Sequence, residues 1–148
     1  MNISLLALSI IGHVSLDQSA IAAPDCQNFV GKWVNNLSQP STLTITSVDR
    51  VTGKIEGSYS SPSGTGGELF PAIGWLNLAN AGIKPDVVPV ISFSVRWGKY
   101  GSITAWSGTC RKINGVPTIN TLWTLSRSAG DFEWDHQLAG ADVFKPAP

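Results

Sequence analysis

The chain has 148 residues, with ten Lys and Arg against ten Asp and Glu, and only 14% of it is charged where soluble domains average about 25%. Such a neutral chain offers no basic stripe for nucleic acid and no cationic face for an anionic membrane, so neither is expected as a partner. Gly and hydroxyl residues fill the gap left by charges, which suits a compact β-protein.

The N-terminus reads as a secretory signal peptide over residues 1–23. Leu5 to Val14 is nearly unbroken apolar sequence, and Ala20-Ile-Ala-Ala23 supplies small residues before Pro24. Its first residues carry no Lys or Arg, and the alternative is a buried N-terminal strand or helix. The apolar run falls short of the ~20 residues that span a membrane. Residues 24–148 are then expected to form one domain, secreted or periplasmic. Cys26 and Cys110, an even pair behind an export signal, are expected to form a disulfide. These thiols and His136 lack any metal-ligand spacing, so no metal is expected.

From Gly31 onward the chain alternates short strand-like runs with turn residues. The runs are Gly31 to Asn36, Ser41 to Val48, Lys54 to Ser61, Leu69 to Leu78, Val87 to Trp97, Ser102 to Ile113, Thr118 to Ser126 and Gln137 to Lys145. Pro62-Ser-Gly-Thr-Gly-Gly67 reads as a flexible rim loop, and Asn80 to Asp86 separates the fourth run from the fifth. No ten-residue helical period intervenes. An all-β fold is expected, an eight-stranded antiparallel up-and-down barrel with a ligand cavity at one end.

Alternation within the runs sorts residues by face. Ser102, Thr104 and Trp106 share one face; so do Trp33 and Asn35, Ser41 with Leu43 and Ile45, and Tyr59 with Ser61. Phe93, Val95 and Trp97 form another set, as do Trp123 with Leu125, and Gly140 with Asp142 and Phe144. Each inward set mixes apolar groups with polar ones toward one end. A filled core has no use for those polar groups, because a buried polar atom without a partner is costly. A small amphiphilic ligand meets them.

Taken in order, these pieces resemble the avidin/streptavidin family of biotin-binding proteins over essentially all of residues 24–148. Gly31-Lys-Trp33-Val-Asn35 is similar to the family's first strand, Ser41-Thr-Leu to its second and Gly57-Ser-Tyr59-Ser-Ser61 to its third. Trp97 with Ser102-x-Thr104-x-Trp106-Ser-Gly fits the fifth and sixth, Thr121-Leu-Trp123-x-Leu125 the seventh, and Gly140-x-Asp142-x-Phe144 the eighth. The resemblance implies high-affinity, non-catalytic binding of biotin. Asn35, Ser41 and Tyr59 would donate to the ureido carbonyl, while Ser61 and Asp142 would accept from the ureido N–H groups. Thr104 would face the thioether sulfur and Ser102 the carboxylate. Trp97, Trp106, Trp123 and Leu125 would wall the ring and acyl chain. Trp134 matches the tryptophan that family tetramers lend to a neighbouring subunit, so a homotetramer is expected, with a dimer as the lesser alternative. Cys26 and Cys110 match the disulfide of the family's egg-white member.

Some positions depart from the family pattern. Two extra residues lie in Leu37-Ser-Gln-Pro40, the loop after Ser61 is Gly-rich, and Tyr100 replaces a small hydroxyl residue. Backbone N–H groups of Ser63 to Gly66 would then serve the carboxylate, and Tyr100 would either bond it or crowd it. These departures motivate the alternative of a lipocalin-like carrier of another amphiphile. Trp33 and Trp75 are expected to be packing residues. Asp135-His136 looks like half a catalytic dyad, but no activated nucleophile accompanies it, so His136 is expected in a surface loop and no catalytic residue is assigned. Gly64-Thr-Gly-Gly67 lacks the lysine of a phosphate-binding loop.

Overall fold

A computed structural model of the chain describes residues 22–78 and 86–148. The expected signal peptide lies outside the described residues except for Ala22 and Ala23, as does the segment before Asp86. Eight strands follow in order: β1 (Gly31–Asn35), β2 (Thr42–Val48), β3 (Lys54–Ser60), β4 (Leu69–Asn77), β5 (Val90–Arg96), β6 (Ser102–Ile113), β7 (Val116–Arg127) and β8 (Gln137–Pro146). Each pairs antiparallel with the next, and β1 pairs with β8 through Trp33↔Pro146 and Asn35↔Phe144. The result is the expected closed, up-and-down barrel, which leaves no edge strand unpaired.

The strands form because their side chains alternate between the two surfaces of the sheet. In β4, Phe70, Ala72, Gly74 and Leu76 are buried, and Leu69, Pro71, Ile73 and Trp75 between them are exposed. Trp75 thus stands on the outer wall, 59% exposed, rather than packing inside as expected. Its odd position in the strand dictates that outcome. The seventh run begins two residues before the expected Thr118. Asn114 (φ 51°) and Gly115 (φ 80°) make a two-residue turn that lets Ile113 pair with Val116. The fifth begins at Val90 instead of Val87, just after Pro89, which has no N–H to donate.

One end of the barrel is finished by the chain itself. Cys26 and Cys110 are disulfide-bonded, tethering the N-terminal segment to β6. Phe29 is 1% exposed and its carbonyl accepts the indole N–H of Trp33 at 2.9 Å. Trp33 is fully buried and is the packing residue expected from sequence. Gly31 (φ 138°) lets Pro24 lie against β1, where a Cβ would meet its ring at 2.9 Å. Leu43, Ile45, Ile55, Ile91 and Ile119 continue this apolar core.

Candidate functional site

The opposite end is a cavity of about 410 Å³ built from strand ends and the turns between them. Eleven residues singled out in the sequence line it: Asn35, Ser41, Tyr59, Ser61, Trp97, Ser102, Thr104, Trp106, Trp123, Leu125 and Asp142. Trp134 does not. It sits in a short 3-10 turn (Glu133–His136), 74% exposed, stacked on Phe132 with ring centroids 5.5 Å apart.

Strand register builds the aromatic wall. Phe93, Trp106, Trp123 and Gly140 are successive cross-strand partners on β5 to β8. Phe93 and Trp106 stack with centroids 4.8 Å apart and planes 9° from parallel. Gly140 makes room for the next ring, since a Cβ there would lie 2.4 Å from Cζ2 of Trp123. The Tyr59 ring packs on Trp106 at 4.9 Å and edge-on to Trp97 at 5.7 Å. Trp97 in turn rests on Phe70.

The polar groups are oriented by one another. The carboxamide oxygen of Asn35 accepts the backbone N–H of Ser41 at 2.8 Å, which turns its NH₂ toward the cavity as a donor. That NH₂ reaches Oδ1 of Asp142 at 3.4 Å, while Oδ2 of the same carboxylate accepts the Trp106 indole N–H at 2.9 Å. Asp142 is only 6% exposed and its acceptor capacity is not exhausted. The Ser41 hydroxyl donates to Ser61 Oγ at 3.1 Å, and the Ser61 hydroxyl donates onward to the carbonyl of Ser63. Ser61 is thereby left with an acceptor face. Thr104 Oγ1 accepts the Trp97 indole N–H at 2.7 Å, which frees its own proton to donate inward. Burial pushes the Tyr59 hydroxyl well above its ordinary pKa, with the Asp142 charge acting the same way and the Ser41 hydroxyl opposing both. Tyr59 therefore stays a protonated donor.

Donors (Asn35 and Tyr59), acceptors (Ser61 and Asp142) and the Ser41 hydroxyl, engaged with Ser61, line the same cavity as the indoles. Such a set suits a planar carbonyl flanked by N–H groups, in a molecule with an apolar body. Among the described residues, no Lys or Arg lines the cavity. Lys99 lies in the 3-10 turn Gly98–Tyr100, bridged to Glu68 at 2.9 Å and over the Tyr100 ring at 5.3 Å.

The rim holds what the sequence placed less well. Pro62 to Gly67 is a closed turn and not an open loop: Ser61 O accepts both Thr65 Oγ1 at 2.6 Å and Gly67 N at 2.9 Å. Ser63, Gly64 and Thr65 line the cavity, and so do Leu37 and Tyr100. The side chains of Leu37 and Thr65 carried no signal of their own. Leu37 belongs to the two-residue insertion after β1, and Thr65 is oriented by a carbonyl rather than by strand alternation. His136 is half-buried, with Nδ1 2.9 Å from the Arg127 carbonyl, and Asp135 is ion-paired to Arg127, so the two do not form a dyad.

Among the described residues, no group of three or more His, Cys, Asp or Glu side chains is placed to hold a metal. No described helix is long and apolar enough to cross a membrane. The closed barrel with an aromatic and polar cavity at one end defines a small-ligand-binding β-barrel.

Comparison with known proteins narrows that class. The model of the avidin family matches residues 23–147, and the chain belongs to that family. Core-bradavidin is 34% identical, with 78% of this chain and 97% of that chain covered and a TM-score of 0.63. Xenavidin is 29% identical, covering 83% and 100% respectively, with a TM-score of 0.66. A biotin binding protein from chicken is 25% identical, covering 80% and 95%, also with a TM-score of 0.66. No curated protein matches the sequence significantly.

Proposed function

We propose that the chain is an exported, non-catalytic biotin-binding protein that works as a homotetramer. The observation that carries this is the sorted polarity of the cavity floor. Asn35 and Tyr59 supply donors for the ureido oxygen, Ser41 supplies a third on turning its hydroxyl from Ser61 to the ligand, and Ser61 and Asp142 supply acceptors for the two N–H groups. The roles of Asn35, Ser61 and Asp142 agree with the hydrogen bonds that orient these residues, whereas the Ser41 hydroxyl gives its proton to Ser61 Oγ. Thr104, whose oxygen is already engaged by Trp97, has a proton to offer a weak acceptor such as the thioether sulfur. Trp97, Trp106, Trp123 and Leu125 wall the bicyclic ring and the chain. Ser102, Tyr100 and the Ser63–Thr65 backbone meet the carboxylate with neutral donors. Membership of the avidin family and the likeness to a chicken biotin binding protein support the same ligand.

The Cys26–Cys110 disulfide suits an oxidising compartment, supporting removal of residues 1–23 during export. Assembly is supported by the outer wall, where exposed Ile73, Trp75 and Leu122 rim a groove of about 340 Å³ that contains no charged residue. It is also supported by Trp134, which has no cavity of its own to fill. Titration with biotin, followed by tryptophan fluorescence, is expected to show saturable quenching below micromolar ligand. Absence of quenching at that concentration overturns the proposal. Light scattering is expected to give four chains per particle, and a stable monomer of undiminished affinity would refute the tetramer.

A further inference from the structure

The segment between β7 and β8 is built from two kinds of residue with opposite surroundings. Phe132 and Trp134 stack with planes 6° from parallel, yet they are 60% and 74% exposed. Asp135, next to Trp134 in the chain, is 6% exposed and tied to the barrel. Its carboxylate Oδ2 lies 2.9 Å from an Arg127 terminal nitrogen and accepts the backbone N–H of Asp131 at 3.1 Å. Its carbonyl accepts Arg127 Nε at 2.7 Å, and its own N–H donates to the Phe132 carbonyl. The other carboxylate oxygen, Oδ1, has no hydrogen-bond partner and lies against Gly130, where a Cβ would come within 1.8 Å of it.

A buried ion pair is a poor source of net stability, because desolvation offsets much of its attraction. Holding one geometry is its better-attested use. Here the Asp135 carboxylate, near the end of the segment, is tied back to Asp131 in its middle and to the Arg127 guanidinium at its start. What the bracket holds out is an aromatic pair with no partner on its own chain among the described residues. Exposed aromatics held in a fixed pose bind with little ordering cost.

We propose that Asp135, ion-paired with Arg127, is a positioning residue for ligand retention: it holds residues 128–136 so that Trp134 enters the cavity of a neighbouring copy of this chain. The inference rests on the proposed lending of Trp134 between copies. Asp135 touches no ligand and acts through Trp134 alone. Gly130 belongs to the same device, since only a residue without a Cβ leaves the Asp135 carboxylate its seat.

The test is a double-mutant cycle on biotin dissociation, measured by displacement of labelled biotin from the full assembled protein. Asp135→Asn and Gly130→Ala are each expected to speed dissociation about tenfold in the parent. In the Trp134→Ala background the same changes are expected to alter it by less than about twofold. Equal acceleration in both backgrounds, or none in the parent, overturns the role of Asp135. A Trp134→Ala variant that dissociates like the parent instead removes the lending on which the role rests, and that single variant distinguishes the two failures. Gly130→Ala keeps both charged residues while displacing the Asp135 carboxylate from its seat, and it lies on an exposed segment, so it carries the test should Asp135→Asn not fold.

Discussion

The two ends of the barrel use the same residue type in opposite ways. At the closed end the indole N–H of Trp33 donates to the backbone carbonyl of Phe29, a partner that no ligand can displace. At the open end the indoles of Trp97 and Trp106 donate to the side chains of Thr104 and Asp142. These acceptors are thereby aimed, and each keeps capacity for a further bond. One end is satisfied within the chain and the other is pre-aligned for a molecule to complete. Apolar burial and the disulfide anchor the first, so the second can hold buried polar groups oriented toward a cavity without endangering the fold.

The comparison is most severely tested at the closed end. Trp33→Ala removes a fully buried ring and is expected to lower unfolding free energy by about 3–5 kcal/mol. Urea unfolding measures this, and a cost below about 1 kcal/mol would mean that this end does not anchor the barrel. Replacing both Cys26 and Cys110 by Ser is expected to cost about 2–5 kcal/mol. Neither cysteine lines the cavity, so biotin affinity of the folded variant should stay within about threefold of the parent, as additivity predicts for distant sites. A larger loss in calorimetric titration would show that the two ends are coupled.

What the sequence could reveal divides along the same line. Strand positions and inward faces were legible because alternation has period two and the turns carry Gly, Pro and Asn, as at Asn114-Gly115. The eleven cavity residues follow that alternation, but so do buried packing residues such as Leu43, Phe93 and Phe144, and the resemblance to the avidin family is what separated the two sets. Residues within the turns were less legible. Leu37 and Thr65 reach the cavity through turns whose shape depends on particular hydrogen bonds, such as the one from Thr65 Oγ1 to Ser61 O. Trp75 faces outward because it alternates with Phe70, Ala72 and Leu76, and strand position outweighs tryptophan's usual burial. Asp135 drew notice only as a neighbour of His136. Its bond to Arg127 joins two residues eight apart across a segment without regular structure.

At the open end the expected effects are smaller and fall on binding. Gly140→Ala places a Cβ within 2.4 Å of the Trp123 ring. Displacing that ring is expected to cost about 1–3 kcal/mol, the usual range for overpacking. We expect an about 10- to 100-fold weaker biotin affinity, with the unfolding midpoint of the ligand-free protein lowered by no more than that cost accounts for. A midpoint that falls while affinity holds would place Trp123 with the core rather than with the cavity.

The finest distinction concerns Tyr59, which is 3% exposed and shared by both ends, since its ring packs on Phe93 and Phe144 while its hydroxyl lines the cavity. Burial raises its pKa in the folded state above the ordinary value of about 10. Above that pH the unfolded chain loses the phenol proton while the folded chain keeps it, so the unfolded state binds fewer protons and stability falls as pH rises. The contribution is fully present below about pH 10 and declines above it by up to about 1.4 kcal/mol per pH unit until the folded-state pKa is passed. Tyr59→Phe should flatten this part of the stability profile, measured by urea unfolding between about pH 9 and 11, while weakening biotin by the ~0.5–1.5 kcal/mol of one hydrogen bond. A variant that keeps the alkaline slope would assign that slope to other groups. One that keeps full affinity would show that the Tyr59 hydroxyl serves the barrel and not the ligand.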